Sequence, residues 1–148
     1  TYSLSGPLTI NAGATLWIQP GVTVSASSTT KILANGSFVV RGTSAARTVL
    51  RPTQALCTDT SPRRSDWLGV ETGTANGNVS LEYADIYCAT NGVYFYLGTG
   101  SLTYTRLLNG TSGVRTLSAA AGRPCGRAPF ARMVARAGGG SRRGHPNE

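Results

Sequence analysis

The acidic side chains before residue 119 are Asp59, Asp66, Glu71, Glu82 and Asp85, and the single histidine is His145. An enzyme working by proton transfer needs an acid and a base converging on one reacting atom. Five scattered carboxylates are thin material for that, and they form no Asp cluster. No stretch carries the GGxGxDxUx pattern that binds calcium in stacked turns. The cysteines Cys57, Cys88 and Cys125 are odd in number, with neither a CxxC nor a Cys/His ligand spacing. No zinc site, other metal site or cofactor is therefore expected. Two readings suit Cys57 and Cys88. In an oxidising compartment they close a loop of about thirty residues, worth about 3 kcal/mol; otherwise they are two small buried apolar residues.

The remaining candidates are binding residues. Glu71, Tyr94 and Arg115 recur at a spacing that places them on successive turns of a repeating structure, facing outward because Val70, Val93 and Val114 point in. An acid, a phenol and a guanidinium so aligned suit a sugar acid. As plain surface, the same column adds about 0.2–1 kcal/mol per pair. By alternation Trp17, Tyr94 and Tyr96 also point outward, and flat aromatic faces on a rigid surface suit carbohydrate stacking or a protein partner. Tyr83 and Tyr104 share the phase of Leu81 and Leu102 and are assigned to the core.

These placements depend on a repeat. The segment 80–86, Ser-Leu-Glu-Tyr-Ala-Asp-Ile, returns 21 positions later as 101–107, Ser-Leu-Thr-Tyr-Thr-Arg-Leu; Thr90, Gly92 and Val93 return as Thr111, Gly113 and Val114. Within each unit the apolar residues alternate with period two, as in strands with one buried face. Gly/Asn/Thr turns separate the units, and no helix-forming stretch occurs before residue 118. A hairpin-built sandwich also has short strands and Gly/Asn turns, but it gives no reason for units to recur in register. In a solenoid, like positions stack about 4.8 Å apart. That puts Asp85 over Arg106, Leu81 over Leu102 and Val93 over Val114. At about 22 residues per coil, residues 1–118 make about five coils of an all-β, right-handed parallel β-helix.

The run 2–10, then Ala12-Gly-Ala-Thr-Leu-Trp-Ile-Gln-Pro-Gly-Val-Thr-Val24, then Gly36-Ser-Phe-Val-Val-Arg-Gly-Thr43 resembles the opening coils of bacterial exported right-handed parallel β-helix proteins of the pectate-lyase-like superfold. Trp67-Leu-Gly-Val70 is similar to their next rung. The resemblance covers about residues 2–117 and implies export, as surface proteins, adhesin-like stalks or polysaccharide-processing enzymes. Two departures stand out: such helices run for more coils, and a closing cap is not evident.

The chain has 148 residues, of which Ser, Thr and Asn supply 40 and charged residues only 14%. This excludes a charged helical bundle and a disordered chain. No apolar run is long enough for a transmembrane helix. The chain opens at Thr1 with neither Met nor a signal-like segment, as expected of a processed or excised piece. The net charge is +8, of which residues 119–148 carry six Arg and one Glu. This Ala/Gly/Arg/Pro-rich basic tail breaks the rhythm in mid-coil. It is read as the product of a frame change in a GC-rich gene, as a basic arm for an anionic polymer, or as a weak amphipathic turn through Phe130, Met133, Val134 and Ala137. Nucleic acid is an expected partner only through that tail. The leading expectation is a non-catalytic exported module, a surface scaffold or adhesin-like stalk contacting carbohydrate or a surface protein, located outside the cell. The rivals are a fragment of a polysaccharide lyase or glycoside hydrolase, and a polyanion-binding protein acting through its tail.

Overall fold

A computed structural model describes residues 1–53, 57 and 64–117. Asp59, Cys125, His145 and the expected tail at 119–148 lie outside the described residues. The described chain is all strand, with no helix, wound as a parallel β-solenoid of five coils. The first coil is β1 (Tyr2–Leu4), β2 (Leu8–Ile10) and β3 (Thr15–Ile18); the second is β4 (Thr23–Ala26), β5 (Lys31–Ala34) and β6 (Ser37–Arg41). The third is β7 (Thr48–Pro52), β8 (Trp67–Thr72) and β9 (Asn78–Glu82), and the fourth β10 (Ala84–Tyr87), β11 (Ala89–Phe95) and β12 (Thr99–Thr103). β13 (Arg106–Leu108) and β14 (Ser112–Thr116) begin the fifth. Every pairing is parallel, giving three sheets: β1-β4-β7-β10-β13, β2-β5-β8-β11-β14 and β3-β6-β9-β12. We call these the first, second and third sheets.

The core consists of columns of like positions. Val24, Leu50, Ile86 and Leu107 stack in the first sheet, and Leu8, Ile32, Val70, Val93 and Val114 in the second. Ile18, Val40, Leu81 and Leu102 stack in the third. Burying one such aliphatic side chain is worth about 1.5–3 kcal/mol, and the columns make that gain continuous along the axis. The expected pairs Asp85 with Arg106, Leu81 with Leu102 and Val93 with Val114 are all in register.

Corners of one to three residues join the sheets where the chain turns hardest. Tyr83 and Tyr104 occupy one such corner in consecutive coils, and Cys88 and Asn109 another, all four with positive φ. The left-handed conformation reverses the chain in one step, and it also resets the side-chain alternation. The assignment of Tyr83 and Tyr104 to the core is thereby corrected: counting by twos fails across the corner. Their rings stack at 4.6 Å on the outside, and Tyr104 is 40% exposed.

One long connection, between β7 and β8, interrupts the rhythm and comes back across later coils. The Arg64 amide donates to the Asn109 carbonyl (2.7 Å) and the Asp66 amide to the Cys88 carbonyl (2.9 Å). Cys57 in this connection forms a disulfide with Cys88, 31 positions on, settling which of the two cysteine readings holds. Gly69, just inside β8, has φ +100°, and a Cβ there would sit 1.6 Å from the Asn91 carbonyl oxygen.

Two outcomes follow. Reduction of the disulfide in the folded protein should lower stability by about 3–4 kcal/mol in the chain-entropy model, read as a lower urea midpoint with reductant. Gly69→Ala should be more severe than an ordinary helix or strand glycine replacement, because the backbone cannot yield; a thermal midpoint within a degree of the parent would refute this.

Candidate functional site

The side chains singled out as ligand-binding candidates fall on two different faces. Glu71, Tyr94 and Arg115 do form a column on the outer face of the second sheet, in β8, β11 and β14. Tyr96 follows β11 in a turn held by buried Thr72, whose Oγ1 accepts from the Tyr96 and Gly98 amides, both at 3.1 Å. Tyr94 and Tyr96 meet edge to face at 5.8 Å. Trp17 lies elsewhere, on the outer face of the third sheet, in the first coil.

The second-sheet column is internally satisfied. Lys31 Nζ donates to Glu71 Oε2 at 3.0 Å, crossing from the second coil to the third. The Arg115 guanidinium lies 4.8 Å from the Tyr94 ring centroid and donates to Asn91 Oδ1 at 3.3 Å. Tyr94 is half-buried, so one face of its ring is already occupied by a cation. Tyr96, 40% exposed, and Trp17, 55% exposed, keep open surface.

Around Trp17 the third sheet presents small polar groups that carry no signal of their own in the sequence. Trp17, Val39, Ser80 and Ser101 share one outward column. The Ser80 and Ser101 hydroxyls are 3.2 Å apart, and beside them Asn78 Nδ2 donates to Thr99 Oγ1 at 3.3 Å. Arg41 bridges the strip: its guanidinium lies 5.8 Å from the Trp17 ring centroid, Nη1 donates to Ser80 Oγ at 3.3 Å, and Glu82 is 3.7 Å away. The result is a flat aromatic at one end of a row of hydroxyls and amides, a combination that suits a polyhydroxylated ring.

The tightest electrostatic cluster sits on the first sheet. Asp85 is outward-facing by register yet its side chain is only 4% exposed, because two arginines cover it. Arg47 Nε donates to Asp85 Oδ1 at 2.8 Å, and its Nη2 reaches the Ala84 and Tyr104 carbonyls at 3.1 and 2.6 Å. Arg106 donates Nε to Oδ1 at 2.7 Å and Nη2 to Oδ2. Burial pushes the Asp85 carboxyl up, but the hydrogen bonds from Arg106 and Arg47 and the two positive charges outweigh it and hold the group below its ordinary 3.8. Arg47 also lies 5.7 Å from the Tyr83 ring centroid, continuing the Tyr83 and Tyr104 stack.

Each described carboxylate is thus in an ion pair: Asp66 with Arg64, Glu71 with Lys31, Glu82 with Arg41, and Asp85 with Arg47 and Arg106. Among the described residues no three His, Cys, Asp or Glu side chains come together as a metal site, and no helix is long and apolar enough to cross a membrane. Searches of family models, of curated proteins and of solved structures find no match to this chain.

The Asp85 cluster makes a pH-dependent contribution of definite sign. A carboxyl depressed in the folded state stabilises fully above its unfolded value of about 3.9, and loses that contribution as pH falls through the lower folded value. Asp85→Asn should cost about 2–4 kcal/mol at neutral pH, since it leaves two guanidiniums facing each other with no anion. In urea melts the gap between parent and variant should narrow steadily below about pH 4. A gap that stays constant down to acid pH would show that Asp85 acts through packing alone.

Proposed function

We propose that this chain is a non-catalytic, exported β-helix module, a surface scaffold or adhesin-like stalk of the pectate-lyase-like kind that contacts carbohydrate through its outer faces. The observation that carries the reading is the state of the acids. A general acid and base need carboxyls poised to exchange protons with a substrate, and every described carboxylate is instead committed to a cation. Their partners hold the surface in shape. What is left open on that rigid surface is Trp17, with its row of Ser, Asn and Thr groups, and Tyr96.

Two further features support the reading. A disulfide between Cys57 and Cys88 suits an oxidising compartment outside the cytosol. Contact surfaces built on stacked strands are pre-organised, so little conformational freedom is lost when a flat sugar ring settles on an exposed indole.

The test is a panel of neutral and uronic-acid polysaccharides, screened by affinity electrophoresis and for new reducing ends or unsaturated products. Retardation by at least one polymer without product formation is expected. Trp17→Ala should weaken that binding about tenfold, the equivalent of ~1.4 kcal/mol, while leaving the unfolding midpoint nearly unchanged because the side chain is outside the core. Release of products would favour the lyase or hydrolase reading. Binding that persists in Trp17→Ala but falls steeply with salt would favour polyanion binding.

A further inference from the structure

Charge is spread unevenly over the three outer faces. Among the described residues, Arg47, Arg51 and Arg106 stand around the first sheet against Asp85, and the second sheet carries Lys31 and Arg115 against Glu71. The third sheet, which holds Trp17, is different. Its outward positions carry one base and one acid, Arg41 in β6 and Glu82 in β9, register partners on adjacent coils. The remaining outward positions of β3, β6, β9 and β12 are Ser, Thr or Asn, apart from Trp17 and Val39. The face that offers an open indole and rows of hydroxyls is thus the face whose formal charges cancel.

The acid on this face is held more loosely than the others. Arg41 is directed at Trp17 and Ser80, and its Nη1 stays 3.7 Å from Glu82 Oε2, too long for a hydrogen bond. The Glu82 side chain is 40% exposed, whereas Asp85 is wrapped by two guanidiniums and Glu71 accepts from Lys31 Nζ at 3.0 Å. Glu82 therefore cancels the charge of Arg41 at a distance and keeps its own carboxylate toward solvent. At physiological salt a charge acts over about 8 Å, and adjacent coils are about 4.8 Å apart. Its influence reaches the neighbouring Ser80 and Ser101 hydroxyls.

We propose that the third-sheet face selects neutral, hydroxyl-rich glycans over uronic-acid polymers, with Glu82 as the specificity-determining residue. An arginine beside an aromatic ring is a natural clamp for a ligand carboxylate. Glu82 removes that attraction by balancing Arg41, and it repels an incoming carboxylate directly. Neutral hydroxyls meet no such penalty and exchange hydrogen bonds with the Ser, Thr and Asn groups of the strip. The inference rests on the carbohydrate reading of the Trp17 face and narrows its substrate class. Acidic polymers are drawn instead to the faces where Arg is in excess, without engaging Trp17.

The test uses the full chain in affinity electrophoresis, with hydroxyethylcellulose and galactomannan as neutral probes and polygalacturonate and alginate as acidic ones. Parent, Glu82→Gln and Arg41→Gln are each measured with and without Trp17→Ala. Only the binding that Trp17→Ala removes is scored, because the excess of Arg elsewhere retains acidic polymers by itself. The parent should bind a neutral probe at least about tenfold more tightly than either uronate polymer. Glu82→Gln should reduce that preference about tenfold, and Arg41→Gln should raise it about threefold, since it leaves the acid unbalanced. Unfolding midpoints should stay near the parent's, because an exposed ion pair contributes little. Opposite signs from the two members of one pair distinguish a charge filter from a structural contact. Trp17-dependent binding that favours a uronate in the parent overturns the inference alone. So does a preference that Glu82→Gln leaves unchanged, or a loss of all binding in that variant. Retardation by none of the four polymers overturns the carbohydrate reading and this inference with it.

Discussion

In-register parallel stacking is the constraint on which everything else in this molecule rests. Once Val24 lies over Leu50 and Leu50 over Ile86, no residue in the first sheet can change its face without moving the column, because the side-chain period is two and a one-residue slip turns the whole set outward. Register also brings side chains from neighbouring coils to about 4.8 Å, so each outward column becomes a choice between repulsion and pairing. Here the choice is pairing: Asp85 beside Arg106, Ser80 beside Ser101, Asn78 beside Thr99, Arg115 upon Tyr94.

The corners show how a strict ladder tolerates a polygonal path. A residue with positive φ at Tyr83, Cys88, Tyr104 and Asn109 turns the chain within corners of one to three residues. None of these four is the Gly usually favoured there, and such conformations cost about 1–3 kcal/mol each. The cost is offset locally. Tyr83 and Tyr104 stack on each other and on Arg47, and Cys88 is held by the disulfide. The Arg47 side chain ties the tyrosine corner to the Asp85 cluster, since the same guanidinium that lies against Tyr83 also binds Asp85 and the Tyr104 carbonyl.

Much of this was legible in the residues. The 21-residue recurrence of Ser-Leu-x-Tyr fixed the solenoid, and with it the Asp85 and Arg106 pair and the column of Glu71, Tyr94 and Arg115. What escaped has a physical pattern. Lys31 meets Glu71 from 40 positions away and Arg47 meets Asp85 from 38; the long β7 to β8 connection lies between each pair, so no fixed period relates them. The Tyr83 and Tyr104 assignment failed for a different reason, because alternation holds along a strand and is reset by a left-handed corner. The strip of Ser, Asn and Thr beside Trp17 was invisible because small polar residues on a strand carry no signal until their columns are assembled.

Pairing between coils leaves the outer surface ordered but not neutral. Lys31 meets Glu71, Arg41 meets Glu82 and Arg47 meets Asp85 from one coil to the next, yet Arg106 shares Asp85 with Arg47 and Arg115 rests on a ring and an amide instead of an acid. Because each partner comes from an adjacent coil, removing one member of a pair strands a side chain on a different turn of the solenoid, and the effect of a substitution passes along the axis by the same register that builds the core columns.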